Sequence, residues 1–255
     1  MSACSIVDLG LIAYAEAWQL QKRVVAARKA GAISDVLLFC EHPHVITLGR
    51  SGNRANLLAS ENVLRQKGVE YFETTRGGDI TYHGPGQLVG YPILNLAAIR
   101  RDVVWYVRTL EEAMIRATAE LDIAARREVG KTGIWVDTQV RTSTQSSQSA
   151  QRKGETAEKL AAIGIHISRW VTSHGFAYNV ATDLRYFELI VPCGIADRKA
   201  TSLEKLLGRN VSLVELRPLL AKHVCEVFGL TVRCEEPAGL FAQLAEFEQA
   251  LPVSA

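Results

Sequence analysis

Within the twelve residues Arg76-Gly77-Gly78-Asp79-Ile80-Thr81-Tyr82-His83-Gly84-Pro85-Gly86-Gln87 stand four glycines and one proline. That is too many for an ordinary hairpin. Glycine admits φ > 0 and lets backbone approach a ligand closely, while proline fixes φ and removes a donor. Between them Arg76, Thr81, Tyr82, His83 and Gln87 carry side chains that donate or accept hydrogen bonds. A loop shaped by glycine and tipped with polar groups reads as a binding site. The alternative is a plain glycine-rich connection with incidental polar residues.

A second kind of chemistry is carried by the thiols. Cys193 lies in Val191-Pro192-Cys193-Gly194-Ile195, where proline before and glycine after suggest a sharply turned, partly exposed loop. Cys40 sits in an apolar strand-like run and Cys225 on the apolar face of a helix, both settings of inert core thiols. Cys4 and Cys234 lie near the chain's ends or in a strand-like run. A nucleophile among the five is therefore best sought at Cys193, although most free cysteines merely pack. The thiolate is the reactive species, so it requires a cation or base beside it. Lys159, Lys131, His83 and His174 are the candidates. From the residues alone, Lys159 is equally well a solvated lysine at a strand edge, and both histidines equally well structural hydrogen-bonders.

Glu41-His42-Pro43-His44 is a weak metal pattern. Pro43 disrupts the ladder that would put both rings on one strand face, and no further ligand joins at suitable spacing, so no metal is expected. Phosphate-loop, dinucleotide-binding and serine-elbow signatures are missing, which removes the common routes to nucleotide hydrolysis, hydride transfer and serine esterase chemistry.

These residues need a scaffold. Ala13 to Ala30 has helical periodicity and ends at Gly31, a C′ glycine. Val36 to Cys40 and Val45 to Gly49 are short apolar runs that read as buried strands. Val69 to Thr74 and Leu88 to Leu96 flank the glycine-rich segment as further apolar runs. A short helix is expected over Asn56 to Lys67, closed by Gly68, and a long one over Asp102 to Arg127 with Asp102 as N-cap. Gly133 to Val136, Lys159 to Ile167 and Trp170 to Val180 are strand-like, the last two as a hairpin or as neighbours. Residues 138–157 include a Ser/Thr/Gln-rich tract with almost no apolar side chains, which reads as a flexible loop. Helices dominate the C-terminal part, where Thr201-Ser202-Leu203-Glu204 and Ser212-Leu213-Val214-Glu215 both fit a capping box. Strands and helices mix without βαβ regularity. The fold class is α+β (mixed α/β), and 255 residues suffice for one large domain or a domain with a small appendage.

Composition narrows the function. Of 255 residues, 48% are apolar and 22% charged, with a net charge of +2, which gives no global signal for nucleic acid or membrane binding. No run approaches the ~18–20 apolar residues of a membrane span, and the first residues lack a signal-peptide pattern. Five cysteines without paired spacing suggest free thiols in a reducing compartment, so a cytoplasmic location is expected.

Taken together, Glu41-His42-Pro43 with Thr47-Leu48-Gly49-Arg50, Arg76 to Gln87, Lys159 to Gly164, His174-Gly175-Phe176-Ala177 and Pro192-Cys193-Gly194-Ile195 closely resemble the bacterial octanoyltransferases called lipoate-protein ligase B, or lipoyl(octanoyl) transferases. The likeness covers roughly residues 8–230 in matching order. It implies transfer of an octanoyl group from octanoyl-acyl carrier protein to a lysine on lipoyl domains of 2-oxoacid dehydrogenases and the glycine cleavage H protein. No cofactor is implied, and the fold would be that of biotin and lipoate ligases, a mixed β-sheet flanked by helices, with residues 1–255 forming one catalytic domain. The family's thioester-forming cysteine falls on Cys193 and its activating lysine on Lys159. Its acyl-binding segments fall on Arg76, Gly77, Gly78, Asp79, Ile80, Thr81, Tyr82 and His83, on Ala162, Ile163 and Gly164, and on Gly175, Phe176 and Ala177. The Ser/Gln-rich tract departs from the family pattern as an insertion. Two other readings stay open: an ATP-dependent ligase of the same fold, and a non-catalytic module that binds acyl carriers or lipoyl domains.

The physics suits acyl relay. A cysteine accepts the acyl group from one carrier before the second docks, and exchange between thioesters is nearly isoenergetic, so no ATP is required. Burying about six methylenes of an eight-carbon tail is worth roughly 5 kcal/mol at ~0.8 kcal/mol each.

Overall fold

The computed structural model describes residues 2–138, 156–191 and 199–251. An eight-stranded mixed sheet runs through it. Its strands are β1 (Ala3–Leu11), β2 (Asp35–Glu41), β6 (Gln87–Ile93), β7 (Ala125–Arg126), β8 (Ile134–Thr138), β9 (Thr156–Ser168), β10 (Val171–Asn179) and β11 (Thr231–Cys234). The spatial order is β11-β1-β2-β6-β10-β9-β8-β7. β11, β1 and β2 are parallel, and every later pairing is antiparallel. A smaller sheet has the order β4-β3-β5, from β3 (Val45–Leu48), β4 (Glu70–Glu73) and β5 (Ile80–His83). The expected class, a mixed sheet flanked by helices, is the one observed.

Helices cover both faces of the large sheet, which is why Val36 to Cys40 is apolar at every position rather than at alternate ones. Leu37 and Phe39 pack with α4 (Val103–Ala119) and α6 (Leu213–Phe228), whereas Val36, Leu38 and Cys40 pack with α1 (Tyr14–Ala30) and α7 (Pro237–Gln249). α1 ends where the sequence says, on Gly31 at φ 75°. Asp102 caps α4 through a bond from the Trp105 N–H, and Ser212 with Glu215 forms the expected capping box on α6.

Several expected boundaries shift. The Asn56–Lys67 helix is only α2 (Glu61–Gln66), because Ser60 takes the N-cap role and residues 54–56 form a separate single turn. The helix after Asp102 stops at Ala119 rather than Arg127, since Asp122 adopts φ 58° and Ala125–Arg126 pairs with β8 instead. Buried Glu111 holds that reversal, accepting from the Gly133 N–H at 3.0 Å and pairing with Arg108 and Arg127. The first capping box is not formed: Ser202, not Thr201, caps α5 (Leu203–Leu207) and accepts from the Lys205 N–H. Thr138, Thr156 and Ala157, placed in the flexible loop by composition, belong to β8 and β9, while the tract between lies outside the described residues. The glycine-rich segment is part strand, with Ile80–His83 as β5. β11 adds a strand to the helical C-terminal part. Among the described residues, no helix is long and apolar enough to cross a membrane.

Candidate active site

A cleft enclosing about 600 Å³, open solvent at its mouth included, lies where β5, β9 and β10 approach the start of α1. Of the residues the sequence singles out, Lys159, Arg76, Gly78, Asp79, Ile80, Thr81, His83, Ala162, Ile163, Gly164, His174, Gly175, Phe176 and Ala177 line it. The architecture explains the convergence. β9 and β10 pair antiparallel with Ala162 opposite Ala177 and Gly164 opposite Gly175, so these segments form one wall. The glycine-rich segment crosses above that wall, where the Gly77 N–H donates to Ile165 O at 2.7 Å. A Cβ on Gly164 would come 2.9 Å from Gly77 O, and Gly78 holds φ 87°. Glycine is needed at both positions for this approach.

Alternation along β5 divides its residues. Thr81 and His83 face one way, while Ile80 and Tyr82 join the core of the smaller sheet. Tyr82 is fully buried, hydrogen-bonded to His44 at 2.8 Å and stacked on Tyr186, and neither it nor Gly77 borders the cleft. Asp79 borders it yet also works as a staple. One carboxylate oxygen accepts from the Asn53 and Ile80 N–H groups, and the other from Asn56 Nδ2.

Arg76 is buried and held by β3: Nε and Nη2 donate to Thr47 Oγ1 at 3.1 and 2.9 Å, and Nη2 to Thr47 O at 2.6 Å. Its charge bears on the neighbouring imidazoles. Burial, then His42 and Arg76, push His83 down to about 3, and burial, then Arg76 and His166, push His174 down to about 3. Both rings are neutral at pH 7. His83 Nδ1–H donates to Gln87 Oε1 at 2.7 Å, and Gln87 Nε2 donates onward to Asn179 at 2.9 Å. Burial alone takes His42 down to about 4. Its Nδ1–H donates to Ile12 O, which leaves Nε2 to accept from the Tyr91 hydroxyl at 2.7 Å. His42 and His44 thus have separate organic partners, and among the described residues no group of three or more His, Cys, Asp or Glu is placed to hold a metal.

Of the four groups that could support a thiolate, the two histidines supply no positive charge at neutral pH. Lys131 stands 5.1 Å from the Trp135 ring centroid, off the cleft. Lys159 is half-buried, lines the cleft and lies 4.7 Å from the same ring centroid. Its backbone N–H donates to Lys199 O and its carbonyl accepts from the Thr201 N–H, both at 2.9 Å. Cys193 lies outside the described residues. On one side of it, the Val191 N–H donates to Asn56 O at 2.7 Å, and Asn56 is bonded to Asp79; on the other, Lys199 is bonded to Lys159. The remaining thiols are as expected for Cys40 and Cys225, both buried in the core. A hydrogen bond with Cys225 and burial keep the Cys4 thiol well above its usual range, and burial does the same for Cys40.

Tyr14, Val89, Tyr91 and Thr132 also line the cleft and were not singled out by sequence. Tyr14 opens α1, where helical periodicity disguises it as an ordinary core residue. Val89 and Tyr91 sit in an apolar strand run with no polar spacing to mark them.

A family model described as the lipoyl protein ligase A/B catalytic domain matches residues 13–225. An octanoyltransferase of Solibacter usitatus is 48% identical over 228 residues, covering 89% of this chain and 94% of its own. An octanoyltransferase of Acidobacterium capsulatum is 46% identical over 255 residues, covering 96% of this chain and 98% of its own. Among solved structures, the bipartite lipoate protein ligase of Thermoplasma acidophilum superposes with a TM-score of 0.71 at 16% identity, over 98% of this chain and 93% of that one. Such identity speaks for the fold alone, whereas the close relatives and the family model speak for kinship. The chain belongs to the lipoyl protein ligase A/B catalytic-domain family and, within it, is a transferase enzyme of the octanoyltransferases.

Proposed function

We propose that this chain, working in the cytoplasm as one catalytic unit, moves an octanoyl group from octanoyl-acyl carrier protein to a lysine of lipoyl domains through a thioester on Cys193. The observation that carries the reading is Lys159 lining the same cleft as Arg76, the glycine-rich segment and the small residues of β9 and β10. Ala162, Val89 and Ala177 offer apolar surface, and glycine backbone lets an alkyl chain lie close. The lipoyl domains of 2-oxoacid dehydrogenases and the glycine cleavage H protein are the acceptors.

In the first half-reaction the Cys193 thiolate attacks the donor's thioester carbonyl. The new C–S bond forms as the carrier's thiolate leaves, and that thiolate takes up a proton. In the second, the neutral amine of the acceptor lysine attacks Cys193-octanoyl. An amide forms, the Cys193 sulfur leaves, and the amine's surplus proton is taken up locally. Lys159 favours the thiolate by its charge in the first step and relays protons between the two. The neutral imidazoles of His83 and His174 add no competing charge at pH 7. The backbone N–H groups of the glycine-rich segment are candidate donors to the oxyanion.

The test is transfer without nucleotide. The protein mixed with octanoyl-acyl carrier protein and an apo lipoyl domain, with ATP and magnesium omitted, is expected to yield octanoylated domain. A requirement for ATP and free octanoate would contradict the reading, and binding of both carriers without any transfer would leave only a docking module.

A further inference from the structure

Strict alternation along β9 would turn Lys159 away from the acyl cleft. Ala161 packs with α4 and α6, and a side chain two residues earlier would share its face. The pairing with β8 prevents this. Ile134 stands opposite Ala161 and Trp135 opposite Lys159, so Leu160 is one extra residue in β9. Such a bulge swaps the faces of the residues before it. Leu160 joins Ala161 in the core, and Lys159 emerges bordering the cleft together with Ala162 and Gly164. The bulge fits its surroundings. Gly133, the residue before β8, holds φ 100°, and a Cβ there would run into Ala161 O. Its N–H donates to buried Glu111 at 3.0 Å.

Beside Lys159 lies Trp135. Ile134 and Val136 point into the core under α4 and α6, so Trp135 between them takes the opposite face, which Lys159 shares as its cross-strand partner. Lys159 Nζ is 4.7 Å from the Trp135 ring centroid. The indole is 1% exposed, and among the described residues its Nε1–H has no hydrogen-bond partner. A buried unpaired donor is a cost that phenylalanine would not carry. What tryptophan offers instead is the strongest π face for a cation. The backbone of Lys159 is fixed from both edges, by β8 on one side and by Lys199 and Thr201 on the other. The long side chain keeps its own torsional freedom, and the ring face restricts where the ammonium rests.

We propose that Trp135 is a positioning residue for the transfer: its ring face, set opposite Lys159 by the bulge at Leu160, seats the ammonium where it borders the acyl cleft. This rests on the reading that Lys159 acts in octanoyl transfer. Trp135 does not itself border the cleft, so it works through Lys159 and not on the acyl chain.

The test reads position and rate separately. Reductive dimethylation of the lysines with isotope-labelled formaldehyde keeps their charge. The Lys159 resonance is assigned with Lys159→Arg, and that of Lys131, 5.1 Å from the same centroid, with Lys131→Arg. The indole ring current should place the Lys159 methyl protons upfield of those on exposed lysines, and Trp135→Leu should move them back. In unmodified protein Trp135→Leu is expected to lower kcat about tenfold, with KM for the donor within about twofold of the parent. Trp135→Phe, which keeps a weaker π face, should fall between the two. Trp135→Met, equally without a π face, replaces the leucine variant if that one unfolds. In a Lys159→Ala background the same substitution should cost no further kcat, because Trp135 then has no ammonium to seat. Lys159 methyl protons of the parent at the position of exposed lysines overturn the proposal, and so does an equal loss of kcat in both backgrounds, which would make Trp135 a packing residue. If Lys159→Ala is slow while Trp135→Leu matches the parent, the role of Trp135 alone falls. If Lys159→Ala transfers at the parent's rate, the reading of Lys159 fails and takes this inference with it.

Discussion

Replacing Thr47 by valine removes one buried oxygen and little volume. Thr47 is fully buried on β3, and its Oγ1 accepts from both Nε and Nη2 of Arg76, at 3.1 and 2.9 Å. The same hydroxyl lies 3.5 Å from His83 Nε2, the ring nitrogen left as acceptor once Nδ1–H donates to Gln87. The two guanidinium bonds share one acceptor, so they are counted as a single loss. A hydrogen bond from a charged donor contributes about 1.5–3 kcal/mol, and leaving the donor buried raises the cost rather than lowering it. Arg76 keeps its bonds to Thr47 O and Gly77 O, which sets the expected loss near the middle, about 2 kcal/mol. For a chain of this size that is a fall in Tm of about 4–8 °C. Urea unfolding with the slope held common to both proteins measures it. Thr47→Ser, which keeps the oxygen, is expected to stay within about 1 kcal/mol of the parent. Octanoyl transfer should drop in the valine variant alone, since Arg76 borders the cleft. If valine and serine variants unfold at the parent's midpoint and transfer at its rate, the Thr47–Arg76 clamp is not what holds the glycine-rich segment.

Three further expectations follow from the same geometry. His42, His83 and His174 are held at about 4, 3 and 3, below the usual value near 6.5, so the unfolded chain binds more protons than the native one at acid pH. Their contribution is fully present above about pH 6.5 and is lost as pH falls toward 3–4; unfolding free energies at pH 7.5 and 5.5 should differ by about 1 kcal/mol per ring, and equal free energies would contradict it. Gly164→Ala puts a methyl group 2.9 Å from Gly77 O and is expected to cost about 1–3 kcal/mol and slow transfer, whereas a parent-like Tm and rate would show that the crossing is loose. Lys159→Ala should leave the circular dichroism spectrum unchanged while slowing both acylation and alkylation of Cys193 at neutral pH; an alkylation profile identical to the parent's would make Lys159 an ordinary strand-edge lysine.

The sequence was most legible where local chemistry and tertiary demand agree. Gly31, Asp102 and the Ser212–Glu215 box end or begin helices by interactions within a few residues, and all three are in place. It misled where distant partners decide. Helical periodicity runs past Ala119, but Glu111 recruits Arg127 and the Gly133 N–H, and pairing with Trp135 and Val136 draws Ala125–Arg126 into the sheet. β1 carries no polar alternation because both its faces are covered, so no period marks it. At the site, motifs reported residue types but not directions. Tyr82 and His83 are neighbours in one motif, yet alternation along β5 sends one ring into the smaller core and the other toward the cleft. Tyr14 and Tyr91 reach the cleft from elements whose sequences read simply as core.

The central claim is a covalent one, and intact-mass measurement tests it most directly. The protein is mixed with excess octanoyl-acyl carrier protein, without acceptor or ATP, and quenched in acid to preserve thioesters. The account predicts one octanoyl group on the parent protein, removed by neutral hydroxylamine and mapped to the peptide containing Cys193. It also predicts none on Cys193→Ala, which should be inactive in transfer while Cys40→Ala and Cys225→Ala acylate normally once folded. A Cys193→Ala protein that still transfers octanoyl at the parent's rate, or an octanoyl group found on another residue, would contradict it.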